Sequence, residues 1–221
     1  MTVLVVGATG QTGKHIVREL VAKKVPVKAL VRDLEKARQL LPEEAQLCVG
    51  DVLKPETIES AIANCDSIIC ATGAAPSFDF TQPYLVDYQG TKNLINIARE
   101  KKIEHFVIVS SLCVSKFFHP LNLFWLVLWW KKQAEQYIQQ SGINYTIVRP
   151  GGLKNEDNSD SIVMSNADTL FEGSIPRQKV ARVCVESIFQ PSAKNKIVEI
   201  ISSPDAEERS WEQLFSLAAQ K

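Results

Sequence analysis

The chain has 221 residues, 45% of them hydrophobic, and its 25 Lys and Arg balance 25 Asp and Glu. That length suits one large α/β domain with a substantial core. A net charge of zero excludes a general attraction to nucleic acid or an acidic surface, so any anion site must be local. The five cysteines (Cys48, Cys65, Cys70, Cys113, Cys184) form no CxxC pair. Their odd, scattered set excludes a disulfide framework and predicts a reducing cytoplasm. No charged-then-apolar leader precedes Val3, which argues against a secretory signal.

In chain order, the apolar run Val3-Leu4-Val5-Val6 predicts a short buried strand. The loop Gly7-Ala8-Thr9-Gly10-Gln11-Thr12-Gly13 follows, and residues 15–24 then place Ile16, Val17, Leu20 and Val21 on one helical face. Residues 25–31 read as a second strand, completing a βαβ unit, and 34–41 as a helix stopped by Pro42. Next come a strand at 46–49, a helix from Pro55 to residue 63 and a strand at 66–71. A long helix over 83–102 and a strand at 105–110 follow. Beyond them the pattern predicts a helix over 121–141, a strand at 143–148, a turn at 149–153 and an exposed polar loop at 154–161. A helix at 179–189, a strand at 196–201 and a helix at 210–219 end the chain. Strands alternating with helices predict a Rossmann-type α/β fold: a doubly wound, mainly parallel sheet with helices on both faces, as a single domain over 1–221. The acceptor-site elements are expected mainly from 111–180.

The glycine loop carries the clearest chemistry. Gly7 permits the tight exit from the strand, Gly10 lets the backbone approach a pyrophosphate, and Gly13 lets the helix pack closely on the sheet. The helix amino end then offers N–H groups to phosphate, so the expected cofactor contacts include Thr9, Gln11 and Thr12. At the end of the second strand, an acidic residue would bind the ribose 2′-hydroxyl of NAD; here Arg32 stands first, and Asp33 fits an N-cap. A guanidinium forms charge-assisted bonds to a 2′-phosphate worth about 1.5–3 kcal/mol each, which predicts NADP(H). Asp51 and Val52 after the third strand, and Ala71-Thr72-Gly73 after the fourth, point to the same crevice.

The segments GATGQTG (7–13), LVRD (30–33), VGDVL (49–53), VIVSS (107–111), KKQAEQYI (131–138) and VRPGGL (148–153) together resemble an atypical short-chain dehydrogenase/reductase of the NmrA-like NAD(P)-binding group. The resemblance spans 2–202. Its first fifty residues are most similar to biliverdin reductase B, the NADPH-dependent flavin reductase. The later part is more similar to plastid and cyanobacterial proteins, among them a thylakoid protein that anchors ferredoxin–NADP reductase. The family's Tyr-x-x-x-Lys pair is not intact: Lys131 stands at the lysine, and Val127 stands in place of the tyrosine. A ketone reductase needs an acid for its alkoxide, whereas a flavin or linear tetrapyrrole spreads the charge over its own rings. The resemblance implies Ser111 as the acceptor-site hydroxyl, with Ser110 second. It implies Lys131 at the nicotinamide ribose or an acceptor carboxylate, and Pro150, Gly151 and Gly152 beside the nicotinamide with N–H groups free to fix the ring.

Residues 117–130 hold three of the four tryptophans and are too short and interrupted to span a bilayer. They read as a helix buried on the sheet, as an aromatic wall for a planar acceptor, or as an exposed patch for a protein or membrane surface. His119 lies close by as a weak candidate proton donor. The expected function is an NADPH-dependent reductase of a flavin or linear tetrapyrrole; the alternative is a catalytically silent NADP-binding scaffold or redox sensor.

Overall fold

The computed structural model describes residues 1–73, 79–123 and 125–218. In chain order the elements are β1 (Val3–Val6), α1 (Gly13–Ala22), β2 (Val27–Val31), α2 (Leu34–Leu40), β3 (Gln46–Val49), α3 (Pro55–Ile62), β4 (Ser67–Cys70), α4 (Gly90–Glu100), β5 (His105–Val109), α5 (Val127–Gln139) and β6 (Tyr145–Pro150). They continue with β7 (Gly152–Lys154), β8 (Ser161–Asn166), β9 (Ser174–Pro176), α6 (Arg177–Ser187), β10 (Lys196–Ser203) and α7 (Trp211–Leu217). Eight strands form one sheet in the order β3-β2-β1-β4-β5-β6-β10-β8; β7 and β9 make a separate pair. Neighbours in the large sheet are parallel except β8, which runs antiparallel to β10. The connections reverse direction between β1 and β4, and this is the point at which such sheets open a crevice beyond their carboxyl ends.

Strand alternation divides the core into two layers. Val3 and Val5 of β1 and Val107 and Val109 of β5 face one side, packed with Ile16, Val17 and Leu20 of α1 and Val180 to Val185 of α6. Leu4, Val6, Phe106 and Ile108 face the other, against Ile58 and Ile62 of α3, Leu94 and Ile95 of α4 and Ile138 of α5. Strands buried on both faces are mostly apolar, which is why β1, β4 and β5 are legible as apolar runs, the last two behind a buried polar first residue, Ser67 and His105.

The departures lie at ends and edges. The long helix expected over 83–102 opens with a π-helical turn, Pro83–Gln89, before α4. It presents Asp87 to the interior, its side chain 1% exposed. The helix expected over 121–141 starts only at Val127. Trp125 and Leu126 take left-handed backbone angles (φ 59° and 57°), and a 3₁₀ turn, Pro120–Leu123, precedes them. Asn122 replaces a local cap: its Oδ1 accepts the Leu128 and Trp129 N–H at 3.0 and 3.2 Å, and its Nδ2 donates to the Phe117 carbonyl at 2.8 Å. The turn expected at 149–153 is instead the end of β6 and most of β7. The polar loop expected at 154–161 is bounded by β7 and β8, and the end of the helix expected at 210–219 lies outside the described residues. Among the described residues, no helix is long and apolar enough to cross a membrane.

One buried titratable group ties the sheet to pH. His105 is 2% exposed on β5; its Nε2 meets Thr146 Oγ1 at 2.9 Å, and among the described residues Nδ1 has no hydrogen-bond partner. Thr146 Oγ1 donates to the Ala193 carbonyl at 2.7 Å, so it accepts from the ring, which is then neutral with its proton on Nε2. Burial, then the charge of Lys194, push its pKa from 6.5 down to about 4. The unfolded chain therefore binds the extra proton between these values. Stability is full above about pH 6.5 and is lost as pH falls towards about 4, by about 3 kcal/mol at most. Urea unfolding across this range should show that slope and His105→Gln should flatten it; equal slopes in both proteins would contradict a neutral buried ring.

Candidate cofactor and active site

The glycine loop is built by close approach. Gly7 has φ +77°, and a Cβ there would lie 2.8 Å from the Ala71 carbonyl group. The Gly10 N–H donates to the Gly7 carbonyl at 2.9 Å. A Cβ on Gly13 would lie 2.1 Å from that same oxygen, so α1 starts in contact with the strand exit. The first turn of α1 holds no acidic residue, and Thr12 makes no side-chain cap. Among the described residues, the Gln11 and Thr12 N–H groups have no acceptor. A backbone cradle with free donors at a helix amino end fits a dinucleotide diphosphate.

Around it, Asp33 caps α2, accepting the Lys36 N–H at 3.0 Å. Arg32 lies exposed at the end of β2 with no hydrogen bond or ion pair among the described residues. Asp51 accepts the Leu53 N–H at 2.9 Å, and the Val52 carbonyl accepts from Asn93 at 2.9 Å. Thr72 approaches Cys70 Sγ at 3.2 Å.

A recess at the carboxyl ends of β4 and β5 brings Thr72, Ser110 and Lys131 together with Asp87 and Glu135. A Cβ on Gly73 would lie 3.8 Å from both Asp87 Oδ1 and Lys131 Nζ. The Lys131 ammonium pairs with Asp87 at 2.7 Å. Ser110 Oγ donates to Glu135 Oε1 at 2.5 Å. Glu135 in turn receives a two-pronged fork from Arg149, Nε at 3.1 Å and Nη2 at 2.7 Å. Arg149 Nη1 also reaches Asp168 at 2.9 Å and Glu199 at 3.2 Å. Glu199 collects the N–H groups of Asp168, Thr169 and Leu170 at 2.7–3.0 Å, and Ser115 Oγ donates to Asp168. Burial opposes the Arg149 charge, but Glu135, Asp168 and Glu199 outweigh it and raise its pKa above the ordinary range.

Several expectations change here. Gly151 and Gly152 do not offer free N–H groups: they donate to the Ile200 and Gly173 carbonyls, both at 2.9 Å, where the chain passes from β6 into the separate β7–β9 pair. Ser110 is held by a carboxylate, whereas Ser111 is half-buried, and its side chain makes no hydrogen bond among the described residues. His119 Nδ1 accepts the Leu121 N–H at 3.2 Å. Residues 117–130, of which Phe124 lies outside the described residues, are not buried as a helix on the sheet. Phe118 is 96% and Leu123 81% exposed. Phe117 meets Trp129 edge to face at 5.5 Å, and Trp130 packs between Tyr84 and Tyr88 at 4.9 and 5.7 Å.

The family model described as NAD(P)H-binding matches residues 7–191. The chain belongs to this family. It is 45% identical to an uncharacterized chloroplastic protein of Arabidopsis thaliana, over 97% of this chain and 81% of that protein. It is 29% identical to sanguinarine reductase of Eschscholzia californica, over all of this chain and 96% of the enzyme. A putative NAD-dependent epimerase/dehydratase from Bacillus halodurans superposes with TM-score 0.86 at 28% identity, covering 97% of this chain and 98% of that one. The cofactor is thus NAD(P)H, and the family is of the reductase-like NmrA type. The cytoplasmic expectation is overturned, because chloroplastic proteins recur among the relatives. Reduced cysteines cannot distinguish one reducing compartment from another. The chain spans less than half the length of some of those chloroplastic relatives.

Asp87, Glu199 and the charge role of Arg149 were not legible in the sequence. The one signal was Lys131 itself: its i+4 neighbour Glu135 is the obvious partner, yet Glu135 is taken by Arg149. Arg149→Met leaves Glu135 and Glu199 buried without their cation, and should cost about 3–5 kcal/mol in denaturant unfolding. Combining it with Glu135→Gln should recover part of that loss; a single-variant loss below about 1 kcal/mol would mean that water already screens the group.

Proposed function

We propose that this chain is an NADPH-dependent reductase passing a hydride to a planar conjugated acceptor, a flavin or linear tetrapyrrole of the kind taken by biliverdin reductase B. The observation that carries the reading is that, among the described residues, the proton-bearing groups lining the recess are already committed to one another. Val127 stands where the phenol would be, Lys131 is paired with Asp87, and Ser110 donates to Glu135. A carbonyl acceptor needs a proton at its oxygen as hydride arrives, while an extended ring system holds the charge itself and takes a proton from solvent. The relative named sanguinarine reductase supports a reductase.

Bound NADPH supplies the hydride. Gly7, Thr9, Gly10, Gln11, Thr12 and Gly13 hold its diphosphate, and Arg32 its 2′-phosphate. Asp51 and Val52 would serve the adenine, and Ala71, Thr72 and Gly73 the ribose. Ser111 is the hydroxyl left to touch the acceptor, and the Lys131–Asp87 pair borders the nicotinamide ribose. Pro150, Gly151 and Gly152 contribute wall rather than donors. We place the acceptor against the aromatic segment, within a single domain whose 111–180 region forms the acceptor side, in a chloroplast-type compartment.

NADPH oxidation offered FMN, FAD, riboflavin and biliverdin should proceed with at least one of them. Tight NADPH binding with no turnover would leave the scaffold or redox-sensor reading instead. Arg32→Ala should weaken NADPH about ten- to a hundredfold more than NADH; equal losses would remove Arg32 from the 2′-phosphate. Added flavin should quench tryptophan fluorescence through Trp129 and Trp130. Co-sedimentation with liposomes without quenching would instead make the segment a docking patch.

A further inference from the structure

We propose that Arg177 is a further cofactor-binding residue, closing over the diphosphate of NAD(P)H from the α6 side; this rests on the cofactor reading of the crevice. Arg177 opens α6, far from the glycine loop in sequence, yet its Nη1 donates to Thr12 Oγ1 at 3.3 Å. Its Nε donates to Asn155 Oδ1 at 3.0 Å, which fixes the plane of the guanidinium. These are its only hydrogen bonds among the described residues, and no carboxylate there lies within ion-pair distance.

A guanidinium carries five N–H donors in a rigid fork. Two are engaged here, both by neutral oxygens, and the side chain is half-buried. A partly desolvated cation without a counter-charge is costly unless an anion completes it. The loop it touches is the one whose Gln11 and Thr12 N–H groups lack acceptors. The surroundings are cationic as well: Lys14 reaches Gln11 Oε1 at 2.9 Å. Burial, followed by Lys14, Arg18 and Arg177, lowers the pKa of His15 against the opposing charge of Asp157. In a chain of zero net charge, this local concentration of free donors and positive charge matches a doubly charged diphosphate bridge. The bridge is common to both nicotinamide dinucleotides, so Arg177 adds affinity without choosing between them, whereas Arg32 chooses.

The test is calorimetric binding of NADPH, NADH and adenosine 2′-phosphate, which lacks the diphosphate, to the wild-type chain and to Arg177→Gln and Arg177→Lys. Arg177→Gln should weaken NADPH and NADH by the same factor, about ten- to a hundredfold, and leave adenosine 2′-phosphate unchanged. Arg177→Lys, which keeps the charge but loses the fork, should fall between. Unchanged dinucleotide binding overturns the proposal. So does a loss confined to NADPH, which would move Arg177 to the 2′-phosphate, and so does an equal loss for adenosine 2′-phosphate, which would mark a general structural defect. Wild-type protein that bound neither dinucleotide would overturn the cofactor reading itself, and this proposal with it.

Discussion

One guanidinium sets the geometry around the recess at the carboxyl ends of β4 and β5. Arg149, near the end of β6, lies directly across the parallel register from Glu199 on β10 and forks onto Glu135 of α5. Through Glu135 it fixes Ser110 at the exit of β5, and through Glu199 and Asp168 it pins the 168–170 turn. Two buried carboxylates share one cation, an arrangement that is stable only if other donors meet the excess charge. The Ser110 hydroxyl does so for Glu135, and three backbone N–H groups do so for Glu199. The cluster is therefore closed, and every member is needed to keep the others satisfied.

That closure divides the crevice chemically. At the cofactor end, donors stand open: the N–H groups of Gln11 and Thr12, and the side chain of Arg32. At the recess, among the described residues, Lys131 is paired with Asp87 and Arg149 with its carboxylates. A polar acceptor with localised charge would have to break one of these pairs, whereas an extended ring system need only cover them. On the proposed reading, the paired charges suit an acceptor recognised by area and stacking better than one recognised by a single strong hydrogen bond.

The parts legible in the sequence are those that local rules determine. Strands buried on both faces announce themselves as apolar runs, and the glycine loop as a break between strand and helix, because the backbone itself demands those residues. Asp33 was readable as a cap for the same reason. What escaped depends on contacts distant in the chain. Asp87 looks like one polar residue in a mixed helix until the π-helical turn aims it at Lys131. Arg149 reads as the start of a turn until Glu199 arrives from fifty residues on. Strand β7 is three exposed residues beginning with a glycine, and it exists only because β9 lies beside it. The half-buried edge strand β8 lacks the apolar run of the interior strands.

The segment before α5 shows the same dependence in its most strained form. Two successive residues with bulky side chains, Trp125 and Leu126, hold left-handed backbone angles, each costing about 1–2 kcal/mol relative to the right-handed region. Such strain persists only where neighbours over-determine it. Here Asn122 does so: it binds the first free N–H groups of α5 on one side and the Phe117 carbonyl on the other. A regular helix through 121–141 would have carried these aromatics along a continuous face, available for packing on the sheet. With the helix broken, Leu123 is left 81% exposed, and Phe117, which precedes the expected helix, stands against Trp129. Below the break, Leu128 stays in the core with Leu112, Cys113 and Val114, the residues that follow Ser111. The helix that carries the aromatic surface and the strand exit that carries Ser111 are therefore joined through a single small apolar cluster.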